Sequence, residues 1–286
     1  KRCWSDLARK SKIKMAEFLL ELFSEEIPAK LQSDARINLI SSFKKFFEKE
    51  NINYKDDAKV FSTPNRLVLY FKKIEREINQ KSVEIRGPNT KAPNNALEGF
   101  LKSNLIQKQD LYKKITDKGE FFFYKKPSRK IKSEDILKAN IPDILKNLSW
   151  KKSMRWGTHD LYWGRPLKSI LAIFDNKTLK FEFHHLLSSN STYIDKDFEE
   201  KRKNFTNFKS YEKYFKNQGI LLDQDKRREL IKREFSKILN KRKLTIKDNP
   251  RLLDEVINLV DNPNVLICSF NKKFLSIPKE ILILTM

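Results

Sequence analysis

The sequence predicts an α+β fold: a strand- and hairpin-rich N-terminal part that carries amphipathic helices, then a more helical C-terminal third. Two observations lead there. Strand-like apolar runs come in pairs around turn residues, at 58–74, 116–126 and 167–185. Helical periodicity dominates only after about residue 208. Paired strands first and helices collected late point to segregated layers, not to a doubly wound parallel sheet.

Taken in order, Ala16–Phe23 is short, apolar and bounded by polar residues, which reads as a buried strand. From Pro28 the period changes. Leu31, Ala35, Leu39, Phe43 and Phe46 or Phe47 recur every three to four residues, giving an amphipathic helix that ends near Asn51. Pro28 suits the first helical position, where its missing N–H is not needed. Glu25 and Glu26 stand between these two elements. They could form an acid–base pair, yet a site just outside a helix N-terminus favours negative charge and makes them punctuation.

"AKVFSTPNRLVLYFKKI" (58–74) reads as strand, Thr-Pro-Asn turn, strand. "EIRGPN" (84–89) carries a turn signal, and residues 92–104 form a short helix with Leu97, Phe100 and Leu101. Asp117-Lys118-Gly119 predicts a hairpin turn. Ser133 reads as the N-cap of a helix, and Asp175–Thr178 as the turn of another hairpin. "QDKRRELIKREFSKILNKRK" (224–243) is a basic helix with Leu230, Ile231, Phe235, Ile238 and Leu239 on one face. A helix over 250–260 and a strand over 265–270 follow.

With 286 residues, 39% hydrophobic and 12% aromatic, the chain can bury a substantial core. Its net charge of +23 suits a phosphate-bearing partner. Lysine outnumbers arginine 45 to 15, however, and there are 22 asparagines, so part of that charge is a compositional bias. Cys3 and Cys268 provide neither a disulfide framework nor zinc spacing and fit a reducing cytosol. No apolar run nears the ~18 residues that span a membrane. Residues 1–14 are basic and lack the apolar core of a secretory signal. The expectation is that Met15 is the true start and 1–14 an extraneous or disordered extension. An α+β domain over 15–207 and a helix-rich segment over 208–286, continuing the same region, complete the organisation.

The six glycines form no phosphate-cradling loop. His159, His184 and His185 offer no metal set; His184 and His185, adjacent on a strand-like segment, would point to opposite faces. The densest Arg/Trp cluster is "SMRWGTHDLYWGRPLKSIL" (153–171). Arg155, Trp156, Trp163 and Arg165 could stack on and clamp RNA. The same tryptophans could anchor a core, with the arginines paired to carboxylates. Arginine at 155 and 165, against the lysine bias, suggests bidentate geometry toward phosphate or carboxylate.

Six stretches, in order and at matching spacing over about residues 16–286, together resemble the beta subunit of the bacterial two-subunit glycyl-tRNA synthetase. They are "FLLELFSEEIPAK", "STPNRLVLY", "EIRGPN", "KGEFFFY", "MRWG" with "GRPLKSIL", and "LLDEVINLVDNPNVL" with "KKFLSIPKEILILTM". The departures are Phe23-Ser24 where the family has Gly-Thr, Asn262 where it has Trp, and "STYIDKDF" where a Gly-His-Arg-Phe stretch is expected. The resemblance implies the N-terminal portion of such a subunit, without the family's downstream HD-like and anticodon-binding domains. It implies no catalytic residue, metal or cofactor in this chain, with ATP used through the alpha subunit. It implies as partners tRNA(Gly) and the alpha subunit, in an assembly of two alpha and two beta chains in the cytoplasm. The candidate RNA or partner contacts are Arg66, Arg86, Arg155, Trp156 and Arg165. A freestanding basic RNA-binding module and a purely structural docking domain are the alternatives.

Overall fold

A computed structural model describes residues 14–80, 82–194, 201–247 and 249–285. The expectation for the first fourteen residues lies outside it, except at Lys14, whose carbonyl accepts from the Arg76 N–H at 2.9 Å. The strands are β1 (Met15–Ser24), β2 (Lys59–Thr63), β3 (Arg66–Glu75), β4 (Glu77–Gln80), β5 (Val83–Asn89), β6 (Leu111–Thr116), β7 (Gly119–Lys126), β8 (Arg129–Lys132), β9 (Leu167–Phe174), β10 (Lys177–Thr178), β11 (Glu182–Phe183), β12 (Leu186–Leu187), β13 (Ser191–Tyr193) and β14 (Arg202–Asn204). The helices are α1 (Ala29–Glu50), α2 (Asn94–Asn104), α3 (Ser133–Lys146), α4 (Phe208–Asn217), α5 (Gln224–Arg242), α6 (Pro250–Leu259) and α7 (Lys279–Thr285). The α+β expectation holds.

The main sheet is antiparallel, in the order β10-β9-β1-β3-β2. Its centre, β1, is buried along nearly its whole length because both faces are covered. Phe18, Leu20 and Leu22 pack with Leu39, Phe43 and Phe47 of α1 and with Leu137, Ile141 and Leu145 of α3. Leu19 faces the opposite way, toward Phe208, Tyr211 and Phe215 of α4. Leu39, Phe43 and Phe47 are fully buried, each worth about 1.5–3 kcal/mol in transfer from water. α1 begins at Ala29, and Pro28 (φ −53°, ψ 137°) is the flanking residue.

β4 and β8 pair and lead to a module between them, in which the sheet β5-β7-β6 is accompanied by α2. "EIRGPN" is part of a strand, not a turn: β5 pairs with β7 through Arg86, and the register slips between Arg86 and Asn89. Gly87 and Pro88 therefore mark a bulge, which accounts for the turn-like composition. A Cβ on Gly87 would lie 3.0 Å from the Phe100 ring of α2.

Other expectations need correction. Ser133 is the first residue of α3, and Lys132 flanks it; the Ser133 hydroxyl donates to the Glu75 carbonyl instead. Asp175 and Asn176 form a hairpin turn with φ of 52° and 62°, as the composition predicts. The segment beyond it folds differently: β11 and β12 pair across His184-His185, so the histidines occupy a turn and not a strand. Residues 265–270 form no strand. Leu266, Ile267 and Phe270 are exposed, with no paired edge beside them among the described residues.

Candidate functional site

Four of the quoted stretches, far apart in sequence, meet at one end of the main sheet. Glu25, Glu26, Ile27 and Pro28 carry the chain from β1 into α1. Pro64 lies in the β2–β3 turn, Arg165 and Lys168 at the start of β9, and Asn258 and Leu259 at the end of α6. These residues line a cleft of about 770 Å³. Main-chain bonds stitch them together: Ser24 N–H to Asn65 O (2.9 Å), Ile27 N–H to Pro64 O (2.7 Å) and Glu25 N–H to Pro166 O (2.9 Å). Buried Gln32 donates to the carbonyls of Ile27 (2.9 Å) and Asn258 (2.7 Å). Proline-rich turns suit this role, because each proline presents a carbonyl and has no N–H that needs an acceptor of its own.

Lys168 Nζ lies 2.7 Å from Glu25 Oε1, so Glu25 is held in an ion pair across the cleft. That geometry favours punctuation over an acid–base pair for Glu25-Glu26. Among the described residues no group of His, Cys, Asp and Glu side chains could hold a metal ion.

The candidate residues do not form one cluster. Arg66 is 2% exposed; it is a core residue, not a surface contact. Its Nη2 donates to the carbonyls of Tyr193 (2.7 Å) and Ile194 (3.1 Å), and its guanidinium lies 4.7 Å from the Phe23 ring and 4.5 Å from the Phe215 ring. Glu21 is its counter-ion, with Arg66 Nε 3.5 Å from the carboxylate. The Thr192 and Tyr211 hydroxyls donate to the same carboxylate. Burial pushes the Glu21 carboxyl above its ordinary range despite the opposing pull of Arg66 and these hydroxyls. Glu21 has a sequence signal, since it is the lone carboxylate inside "FLLELF"; its hydroxyl partners Thr192 and Tyr211 have none. The departure at Phe23 supplies one of the rings beside Arg66.

Arg165 reaches the cleft, and its Nη1 donates to the Gly164 carbonyl at 3.0 Å. Arg155 is exposed and lies 3.5 Å from exposed Asp160. Neither contact is the bidentate pairing expected from arginine at those positions. Trp163 is core, packed against Trp150 at 5.1 Å and Phe183 at 5.9 Å. Half-buried Trp156 borders a small ring cluster in which His159 and His185 stack at 3.7 Å with an 8° interplanar angle. Partial burial and the neighbouring His159 and His184 lower the His185 pKa from its ordinary 6.5. Arg86 sits apart, on the β5-β7-β6 sheet.

Sequence reasoning also missed Arg227 of α5, which is fully buried. It donates to the carbonyls of Ile257 (2.9 Å), Leu222 (3.1 Å) and Ser62 (2.7 Å), and also to that of Leu221. Burial brings its pKa to about 10, so it stays charged at neutral pH and ties α5 and α6 to β2.

Residues 18–286 match the family described as glycyl-tRNA synthetase beta subunit. The glycine–tRNA ligase beta subunit of Rickettsia bellii (strain OSU 85-389) is 39% identical over 272 residues, covering 95% of this chain and 41% of that protein. Those of Rickettsia canadensis (strain McKiel) and Rickettsia felis (strain ATCC VR-1525 / URRWXCal2) are each 36% identical, over 95% of this chain and 40% and 41% of theirs. The chain thus spans about two fifths of the length of these relatives. On the strength of a match that covers nearly all of it, this chain belongs to the glycyl-tRNA synthetase beta subunit family.

Proposed function

We propose that this chain serves a glycine–tRNA ligase as part of its beta subunit, supporting ATP-dependent attachment of glycine to tRNA(Gly) by binding the tRNA and the alpha subunit. Glycine activation and ATP use belong to the alpha subunit in this reading, within a cytoplasmic assembly of two alpha and two beta chains. This chain contributes binding surface and no catalytic group or cofactor. The family match over residues 18–286 carries the proposal. The net charge of +23 supports the RNA half of it. The convergence of four family stretches on one cleft supports the docking half.

The test has two parts. Titration of the purified chain with tRNA(Gly) at several salt concentrations should show a steep log–log salt dependence, set by the phosphates engaged. Sedimentation with an alpha subunit should show a complex whose stability changes little with salt. If the chain binds neither tRNA(Gly) nor the alpha subunit, the role is refuted. RNA binding without alpha binding would favour a freestanding RNA module, and the reverse a docking domain. Glycine-dependent ATP–pyrophosphate exchange by this chain alone would contradict the division of labour.

A further inference from the structure

The module between β4 and β8 adds nothing to the two buried clusters of the main body: none of their residues comes from 83–126. What it presents is a small sheet whose open face alternates rings and cations. Register places Tyr112 and Arg86 on either side of Phe123, and Lys114 opposite Phe121. The Arg86 guanidinium lies 3.7 Å from the Phe121 ring centroid. The Tyr112 ring stacks at 6.1 Å and 29° on Phe123, and Lys114 Nζ lies 5.4 Å from that same ring. Glu84 fixes the arrangement, accepting from Tyr112 Oη at 2.7 Å and from Lys114 Nζ at 2.8 Å. Arg86, Tyr112, Lys114 and Lys125 are all exposed.

We propose that this face is a stacking platform for unpaired nucleotides of the RNA that the chain binds. The proposal rests on the RNA-binding reading above and adds the surface and the kind of RNA. A planar guanidinium seated over a phenyl ring offers its other side to a base, and the phenol of Tyr112 offers a ring face of its own. Lys114 and Lys125 stand where a strand crossing these rings would carry its phosphates. Arg86, Lys114 and Lys125 outnumber the one carboxylate, Glu84, which is already engaged. Duplex RNA would use the cations but not the rings, since its bases are stacked on one another. An acidic protein surface would likewise leave the flat ring array unused.

The experiment titrates the full chain with a fluorescent single-stranded oligouridylate and, separately, with a duplex RNA of the same length. Tyr112→Leu should weaken single-strand binding about tenfold and leave duplex binding and the salt slope unchanged, because stacking releases no counterion. Tyr112→Phe should retain the affinity. Arg86→Ala should weaken single-strand binding and also make its salt slope shallower by about 0.7. Unchanged single-strand affinity in a Tyr112→Leu/Arg86→Ala double variant, with tRNA binding intact, overturns the platform and spares the RNA-binding reading. A wild-type chain that does not bind the oligouridylate overturns the platform, and one that also fails to bind tRNA(Gly) overturns both. Loss of alpha-subunit binding in the double variant, with RNA affinity unchanged, also overturns the platform and assigns the face to protein. Should Tyr112→Leu melt at a lower temperature than wild type, Lys125→Glu reads the same face from an exposed position. It should reduce single-strand binding at unchanged melting temperature, and undiminished binding there overturns the proposal.

Discussion

Arg66 Nε lies 3.5 Å from the Glu21 carboxylate, across adjacent strands and beneath α4, where both side chains are cut off from water. Charges buried this deeply are costly singly and tolerable together. Arg66→Ala leaves Glu21 uncompensated and should cost about 3–5 kcal/mol near neutral pH. The folded-state pKa of Glu21 is raised, and the substitution raises it further. A group shifted this way contributes fully below its unfolded value, near 4.5, and the contribution is lost as pH rises through the folded value. The deficit of the variant should therefore shrink as pH falls from 7 toward 4.5. Urea melts across that range check it, and a pH-independent deficit would disprove the ion-pair account.

Arg227→Met should cost roughly 2–4 kcal/mol, because it strands buried carbonyls on α5, α6 and β2. The loss should be concentrated at α6. Hydrogen exchange resolved by segment should show faster exchange in 250–259 before the main sheet is affected. Uniform acceleration across the chain would contradict a local clamp.

Gly164→Ala should be disruptive although its backbone needs no glycine conformation. An added Cβ would fall 2.4 Å from the Trp150 ring, displacing that ring from Trp163. Overpacking of this kind costs about 1–3 kcal/mol. The near-ultraviolet circular dichroism of the tryptophans should change together with the melting temperature. A superimposable spectrum would refute the tight contact.

His185 should titrate below 6.5, since burial and two neighbouring imidazoles oppose its protonation. A depressed base of this kind contributes stability above its unfolded pKa and loses it as pH falls through the folded value. His159→Phe keeps a ring in the stack but removes a like charge, so the His185 midpoint should rise. Proton NMR of the imidazole resonances measures both. An unshifted midpoint in the variant would mean that burial alone sets the value.

Arg155→Ala should change stability by at most about 1 kcal/mol, because its partner Asp160 is exposed. If Arg155 touches a tRNA phosphate, the same variant should make the salt slope of binding shallower by about one. A loss of several kcal/mol in the melt would reveal a buried role that its exposure contradicts.

Much of the fold was legible because it is governed by local chemistry. The period change at Pro28, the turn at Asp117–Gly119 and the apolar spacing of α5 each restrict a few neighbouring residues to one conformation. The errors fall where the deciding contact is distant. Gly87-Pro88 resembles a turn until β7 is present to pair with β5. The run at 265–270 resembles a strand, but a strand needs an edge to join, and pattern alone does not supply one.

Side-chain fate divides along the same line. The sequence by itself determined which residue types were available: the arginines set against a lysine background, the aromatic runs, and the absence of phosphate-loop glycines. Only the tertiary structure decided which arginine meets water. Arg66, Arg86, Arg155 and Arg165 all look alike in their motifs, yet one is enclosed with Glu21, one lies over a half-buried ring, one pairs loosely at the surface and one edges a cleft. The reason is that the cost of a charge depends on the dielectric and the partners around it. Those are set by strands and helices brought together from opposite ends of the chain.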